Sequence, residues 1–393
     1  MEEKYKLPSD WQIKTINEVC NIYTGNSINK KKKEENFIGL KEGLNYIGTK
    51  DISFNNIIEY ENGVKIPFKD LKDFKIAKSN TSLLCIEGGS AGRKIGFTNQ
   101  DVCFGNKLCC FEAIEDEPKF IYFYLQSNDF LREFNSNIQG LIGGVNKENL
   151  RKIKIPIPPL DEQKRIASAL SKIDAYLENT IKLIEEKERF KRGIAKKLLT
   201  CKEGENIPEA RFKGFEDEWK TKTLENICKN IKTGKLNANA MEKDGQYRFY
   251  TCAKDYYKIN TYAFDGEAIL ISGNGAHVGY VHYYNGKFNA YQRTYVLMDF
   301  TENILFIKYY LDIHLKYKIN IENNKGNIPY IVLNTIKDME IKFPSLEEQE
   351  KIGGYLSLLD KEIDNLKKQK ELIKEMKRGA MQKLLSGEVR LLE

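Results

Sequence analysis

Two glycine-rich runs are the first residues to test for chemistry. Gly88-Gly89-Ser90-Ala91-Gly92-Arg93-Lys94 follows the apolar tetrad Leu83-Leu84-Cys85-Ile86, as a phosphate loop follows its strand. A Walker loop needs G-x-x-x-x-G-K-[ST]. Here Arg93 stands where the second glycine belongs, and Ile95 follows Lys94, so the spacing fails. Gly273-Asn274-Gly275-Ala276-His277-Val278-Gly279 begins like G-x-G-x-x-G but carries its third glycine one residue late. Neither run is a nucleotide fingerprint. Both read as tight turns that expose backbone amides and let Arg93, Lys94, Asn274 or His277 reach outward. A hairpin turn with solvated side chains is the other reading.

Other catalytic patterns also fail. Asn327-Ile328-Pro329-Tyr330 lacks the second proline of the N-P-P-[FYW] site of amino-methyltransferases, and no glycine-rich cofactor fold accompanies it. Glu218-Trp219-Lys220 has the E-x-K form of nuclease sites, but chance produces such triplets in a chain that is 30% charged. His277, His282 and His314 are the only histidines and offer no Ser/His/Asp set. The 8 cysteines contain no C-x-x-C pair, so they read as reduced, buried thiols rather than zinc ligands. The expectation is a non-enzyme with no cofactor and no metal.

The inventory for binding DNA is richer. Lysines at 30–33, Lys50, Arg93, Lys94, Lys107, Arg248 and Arg293 supply positive charge. Asn106, Asn274, Asn289 and Gln292 could pair with base edges, as amides do with adenine and Arg does with guanine. Tyrosine is dense between 256 and 295. The candidate DNA contacts are Lys50, Ser90, Arg93, Lys94, Asn106, Lys107, Asn274, His277, Gln292 and Arg293.

What positions these residues is a repeat, the feature to seek first in any chain. Residues 158–199 align without a gap on 344–385, with 17 identities over 42 positions. They include Glu162/Glu348, Gln163/Gln349, Ile166/Ile352, Leu170/Leu356, Asp174/Asp360 and the run Lys191-Arg192-Gly193 against Lys377-Arg378-Gly379. Upstream, Trp11-Gln12-Ile13-Lys14-Thr15-Ile16 resembles Trp219-Lys220-Thr221-Lys222-Thr223-Leu224. The offset is 186 in the first match and 208 in the second, so the second copy is shorter in between. The stretch 30–43 and its surroundings are the expected place. Each copy thus has a variable head followed by a similar helical part, which suggests one frame carrying two specificities.

The helical parts open after Pro158-Pro159 and Pro344-Ser345. In copy two Ile352, Leu359, Leu366, Ile373 and Ala380 recur every seven residues, with Leu356 and Ile363 interleaved. In copy one the series is Ile166, Leu170, Ile173, Leu177 and Ile184. That is a coiled-coil seam, and two such imperfect helices most simply pack on each other. Gly193 and Gly379 lie in good helical sequence, where each costs about 1 kcal/mol against Ala. Close helix approach or a kink would explain them; an early helix end is the alternative. Gly204 and Gly387 are candidate stops. In the heads, strands are expected at 83–86, 107–111, 268–271 and 294–298, and helices at 121–131 and 304–317.

Composition sets the outer bounds. At 393 residues the chain has room for roughly two or three domains. A net charge of +7 permits a polyanionic partner without demonstrating one. No run approaches the ~18 apolar residues of a membrane span. Met1-Glu2-Glu3-Lys4 lacks the layout of a secretory leader, so the expected place is the cytoplasm, with no membrane partner.

With these residues in view, the chain resembles the specificity subunit of type I restriction-modification enzymes over essentially its whole length. The resemblance rests on Ile155-Pro156-Ile157-Pro158-Pro159-Leu160-Asp161-Glu162-Gln163 and its copy Ile341-Lys342-Phe343-Pro344-Ser345-Leu346-Glu347-Glu348-Gln349. It rests also on Arg211-Phe212-Lys213-Gly214-Phe215 before Trp219, and on the end Arg378-Gly379-Ala380-Met381-Gln382-Lys383-Leu384-Leu385-Ser386-Gly387. Pro344-Ser345 departs from the prolines of the first copy. The resemblance implies an α+β chain: two pseudo-repeated mixed α/β target-recognition domains joined by two long antiparallel coiled-coil helices. The expected divisions are recognition domains at 1–157 and 205–343 and long helices at 158–204 and 344–393. It implies that each domain reads half of a bipartite, asymmetric site in double-stranded DNA. It also implies docking of two modification subunits and of ATP-dependent restriction subunits, and no catalysis by the chain itself. The seam, Ile166, Leu170, Ile173, Leu177, Ile352, Leu356, Leu359, Ile363, Leu366 and Ile373, is the candidate subunit interface. The rivals are a methyltransferase or nuclease, and a cytoplasmic coiled-coil scaffold without DNA affinity.

Overall fold

The computed structural model describes residues 7–139, 143–322 and 330–392. The tetrad at 1–4 and Asn327, Ile328 and Pro329 lie outside them. The chain contains two long helices, Leu160–Leu199 and Leu346–Leu385. The chain divides into two compact units, Met1–Thr180 with Gln369–Glu393, and Ile181–Lys368, so each unit holds one part of each helix.

The start of each long helix is built by the Glu-Gln pair of the repeat. In the first unit Gln163 donates from Nε2 to the Pro158 carbonyl at 3.0 Å and to Asp116 at 2.8 Å. Its Oε1 accepts from the Glu117 amide at 2.8 Å. In the second unit Gln349 does the same with the Pro344 carbonyl at 3.0 Å, Glu302 at 2.9 Å and the Asn303 amide at 3.0 Å. Acidic residues fill each first turn and lysines each last turn, as the helix dipole favours.

The helices are antiparallel within each unit. In the first, Lys377 pairs with Asp174 at 2.6 Å. In the second, Lys191 pairs with Asp360, Lys187 with Glu362 and Lys367 with Glu188. Asp174/Lys377 and Asp360/Lys191 are the same repeat positions with the helices exchanged. Ile166, Leu170, Ile352, Leu356, Leu359, Ile363 and Ile373 are buried, while Ile173, Leu177 and Leu366 are half-buried. At the weak seam position Thr180 is buried with its hydroxyl turned back to the Tyr176 carbonyl at 2.8 Å, which removes a polar group from the contact.

The helices continue through Gly193 and Gly379, and a Cβ at either would meet nothing within 4 Å. Close helix approach therefore does not explain these glycines. Gly387, at φ 76°, lies two residues beyond its helix end. Gly204, also at φ 76°, instead shapes a later turn, closed by the Glu205 amide on the Lys202 carbonyl at 3.1 Å.

Each unit carries a mixed α/β head. In the first, an antiparallel sheet runs in the order Cys20–Thr24, Leu108–Ala113, Ser82–Cys85, Ile95–Phe97. A second sheet runs Lys65–Ile66, Leu44–Ile47, Val102–Phe104, Ile76–Ala77, with Leu44–Ile47 parallel to Val102–Phe104. In the second unit one six-stranded sheet runs Cys228–Thr233, Thr294–Phe300, Phe264–Ser272, Val281–Ala290, Tyr247–Tyr250, Tyr257–Ile259. The parallel pair recurs between Tyr247–Tyr250 and Val281–Ala290. Val281–Ala290 is unbroken, whereas its counterpart in the first unit is split at residues 98–101. A two-stranded clamp closes each head: Gln12–Thr15 with Lys154–Ile157, and Lys220–Thr223 with Glu340–Phe343. Gly25 and Gly234 sit where a Cβ would fall 1.9 Å from the Phe104 carbonyl oxygen and 1.8 Å from that of Ala290, so the same close strand approach demands glycine twice.

Two expectations need correcting. The stretch 121–131 is two helices, Pro118–Tyr124 and Asn128–Ser136, because the Ser127 hydroxyl caps the second by accepting from the Phe130 amide. The extra length of the first head is not concentrated at 30–43. The offset between matched hydrogen-bonded positions is 208 at Ile16/Leu224 and 203 at Ile47/Tyr250, and falls to 187 by Cys85/Ser272. Most of the insertion therefore lies between Ile47 and Cys85, in short turns and strands around Phe54.

Candidate nucleic-acid interface

The glycine loops occupy one frame in the two heads. In the first unit the Gly92 amide donates to the Cys85 carbonyl at 2.8 Å, Ala91 to Gly88 at 2.9 Å and Arg93 to Ser90 at 3.0 Å. In the second, Gly279 donates to Ser272 at 2.8 Å, Val278 to Gly275 at 3.1 Å and Tyr280 to His277 at 3.0 Å. Gly92 and Gly279 hold φ of 71° and 75°, a backbone that side-chain-bearing residues rarely adopt. The frame thus matches Ser90 with His277 and Arg93 with Tyr280.

Beside each loop stands a two-residue turn. Asn106 and Lys107 form the tip between Val102–Phe104 and Leu108–Ala113; Gln292 and Arg293 form the tip before Thr294–Phe300. The Ile86 amide donates to the Lys107 carbonyl at 3.0 Å, and the Gly273 amide to the Arg293 carbonyl at 2.8 Å. Loop and turn are therefore one surface in each unit.

The first unit gathers all six of its candidates. Lys94 donates to the Thr49 carbonyl at 3.0 Å, next to Lys50. Arg93 and Lys94 lie over the ring of Phe54, at 5.6 and 4.9 Å from its centroid. Phe54 is 63% exposed, and the sequence reading missed it. An aromatic in a loop carries no pattern that separates it from a core residue. Lys107 meets Glu87 at 3.4 Å. Lys50, Arg93, Asn106 and Lys107 are exposed, and Ser90 and Lys94 half-buried.

In the second unit Asn274 leads into the short turn Gly275–His277, and Gln292 and Arg293 are exposed. A cleft of about 320 Å³ is lined by Thr233, Gly273, Gln292, Arg293, Tyr295 and Ile331. Arg248 lies between the rings of Tyr256 and Tyr284, at 4.2 and 4.4 Å, and donates to the Tyr250 hydroxyl at 3.2 Å. Its charge is thus held against an aromatic wall. One expected contributor, Asn289, is spent elsewhere, and so is His282. Asn289 is buried and engaged with Thr261 and the Ala290 amide. His282 is held by the Ala253 carbonyl at 2.9 Å, and burial lowers its pKa.

The cysteines are all free, and six of the eight are buried; burial pushes the Cys110 thiol up to about 11. Among the described residues no group of His, Cys, Asp or Glu is arranged to hold a metal ion, and no helix is long and apolar enough to cross a membrane.

In each unit an antiparallel helix pair with a mixed α/β head defines a class, and comparison with known proteins gives it a name. The profile described as "Type I restriction modification DNA specificity domain" matches residues 8–186 and 216–375. The chain belongs to that family, as a type I restriction-modification specificity subunit. It is 40% identical over 170 residues to the type I restriction enzyme EcoDI specificity subunit of Escherichia coli, covering 43% of this chain and 37% of that one. It is 29% identical over 264 residues to the putative MjaX specificity subunit of Methanocaldococcus jannaschii, covering 63% of this chain and 62% of the relative. It is 26% identical over 420 residues to the MjaVIII specificity subunit of the same organism, covering 98% of this chain and 94% of the relative. The match thus spans under two thirds of the first two relatives' length. The crystal structure of a type I S subunit from M. genitalium shares the fold, with a TM-score of 0.66 at 18% identity over 98% of each chain.

Proposed function

We propose that the chain is the DNA-reading, non-catalytic part of a type I complex, each head reading one half of a bipartite, asymmetric site in double-stranded DNA. The observation that carries this is the shared loop frame with different side chains upon it: Ser90, Arg93, Asn106 and Lys107 in one head, His277, Tyr280, Gln292 and Arg293 in the other. A common frame gives both heads the same approach to a groove, and different side chains give them different sequences to prefer. Lys50, Arg93 and Lys94 supply the phosphate attraction, and Ser90, Asn106, Lys107, Asn274, His277, Gln292 and Arg293 the contacts to base edges. The functional parts are residues 1–157 and 205–343 as recognition domains and 158–204 and 344–393 as helices.

The helices are the docking elements for two modification subunits and for restriction subunits. The seam residues hold the helices to each other, so docking falls to what the seam leaves outside. Tyr176, Leu183 and Phe190, spaced by seven, are exposed apolar residues on the first helix; Leu358, Leu372 and Met376 are their counterparts in kind on the second. Phe190 and Met376 are matched repeat positions, each three residues before the open glycine, Gly193 or Gly379. Two like patches suit two copies of one partner.

The test is an exchange of residues 205–340 for the segment of a relative, with methylation sites of the assembled complex sequenced. One half-site changes and the other stays. A change in both halves from one exchange defeats independent reading.

A further inference from the structure

We propose that the turn tips Asn106-Lys107 and Gln292-Arg293 are the specificity-determining pair of each head, the amide reading an adenine and the cation an adjacent guanine. This rests on the reading of each head as a half-site reader and names the residues that do it.

The two turns are built alike and rigidly. Each is closed across its tip, Leu108 amide to Gly105 carbonyl at 3.0 Å and Thr294 amide to Tyr291 carbonyl at 2.8 Å. Each is pinned on entry, Gly105 amide to Ile47 carbonyl and Tyr291 amide to Tyr250 carbonyl, both at 2.9 Å. Each is pinned on exit to the glycine loop, through the bonds from Ile86 and Gly273 described above. These backbone groups are already paired, so the side chains of the tip carry the chemistry that is left.

Those side chains are free to act. Among the described residues Asn106, Gln292 and Arg293 are exposed with no side-chain hydrogen bond or ion pair, and Lys107 has only Glu87 at 3.4 Å. Asn and Gln side chains often cap helices or brace turns, as Asn29, Asn146 and Asn62 do in this chain. Asn106 and Gln292 do neither.

The order of chemistry is also kept. At neighbouring matched positions the heads diverge, Ser90 against His277 and Arg93 against Tyr280. At the tip both carry an amide followed by a cation. Asn or Gln can bond adenine N6 and N7 together, and Arg or Lys guanine O6 and N7, in a major groove about 12 Å wide. A two-residue turn tip is narrow enough to enter it. The heads then differ in reach, since Gln and Arg are the longer members of each pair, and in their surroundings.

The experiment selects bound duplexes from a randomised DNA library with the full chain assembled with modification subunits. Wild type enriches two short motifs. Gln292→Ala makes one adenine position of one motif degenerate, with about ten- to hundredfold loss of discrimination there, and spares the other motif. Asn106→Ala does the same to the other motif, and Arg293→Ala and Lys107→Ala each relax a guanine beside it. Gln292→Glu and Asn106→Asp, which keep size but replace the amide donor, lose adenine at the same positions. Unchanged motifs in these variants overturn the inference, as does equal weakening on every sequence, the mark of a phosphate contact. If wild type enriches no motif, half-site reading itself fails, a separate outcome.

Discussion

Glu162 and Glu348 occupy the same place in the two long helices, both are buried, and each receives a guanidinium on both oxygens. The guanidinium comes from different places. Arg211 lies in the segment joining the copies and reaches Glu348 at 2.9 and 2.8 Å. Arg390 lies near the end of the chain and reaches Glu162 at 2.7 Å twice while also gripping Asp10. The indoles differ too. Trp11 donates to Glu162 at 3.1 Å, whereas the Trp219 N–H has no partner among the described residues. The frame is thus duplicated in space where the sequence around it is not. In the first unit the lock binds the chain's two ends to one helix start; in the second a continuous segment does the same work.

Breaking the locks gives the largest expected effect. Arg211→Ala leaves Glu348 buried and unpaired, a change that costs about 3–5 kcal/mol, and hydrogen exchange localises the loss to the second unit. Arg390→Ala costs less, because the Trp11 indole and the Leu391 amide remain on Glu162. Equal losses would show that the indole contributes nothing to the difference.

Leu359→Asp tests the seam. It places a charge at a buried position of the second unit and lowers stability by a few kcal/mol. Size-exclusion chromatography with modification subunits reads the accompanying loss of assembly. Wild-type melting and assembly would mean that Leu359 is outside the seam.

Acid distinguishes the units more gently. His282 and His314 belong to the second unit, and burial lowers both from 6.5. The unfolded chain therefore takes up protons first, so stability is full above about pH 6.5 and falls below it. The first unit contains no histidine. Burial pushes the Glu162 carboxyl up, but its bonds to Arg390 and Trp11 outweigh that and hold it below the usual range. The first lock accordingly persists until the pH falls through the carboxylate range. Opening free energies from hydrogen exchange at about pH 7.5 and 5.5, corrected for the intrinsic rate at each pH, should fall toward pH 5.5 in the second unit alone.

The smallest effect sharpens the picture of the helix surface. Gly193→Ala and Gly379→Ala should each stabilise by about 1 kcal/mol, since the added methyl meets nothing and the helix gains propensity. Denaturant unfolding measures it. Gly193→Leu or Gly379→Leu should melt no lower than wild type yet assemble poorly with modification subunits, if partners approach these points.

Periodicity and local rules made the long helices, their starts and the expected head strands legible, because apolar spacing and helix-breaking prolines act over a few residues. The strand at 268–271 proved longer, Phe264–Ser272, since Asp265, Gly266 and Glu267 cut Phe264 off from the apolar run and Ser272 ends it. The insertion was misplaced, because in a divergent stretch only paired hydrogen bonds reveal which residues correspond. Ser127 split an expected helix through one hydroxyl, a signal that competes with a continuous apolar face.

The sequence by itself determined that the chain is a repeat of a head and a helix, since identities at constant offset and a seven-residue seam need no coordinates to be read. Only the tertiary structure decided which of several like side chains stand ready. Asn289 and Gln292 are three residues apart, yet one is buried against Thr261 and the other exposed at a turn tip. Arg390 and Glu162 are 228 residues apart and share two hydrogen bonds. The reason is physical. Helix and strand are set by neighbours along the chain, whereas burial, ion pairing and the matching of one turn to another depend on contacts that folding alone brings together.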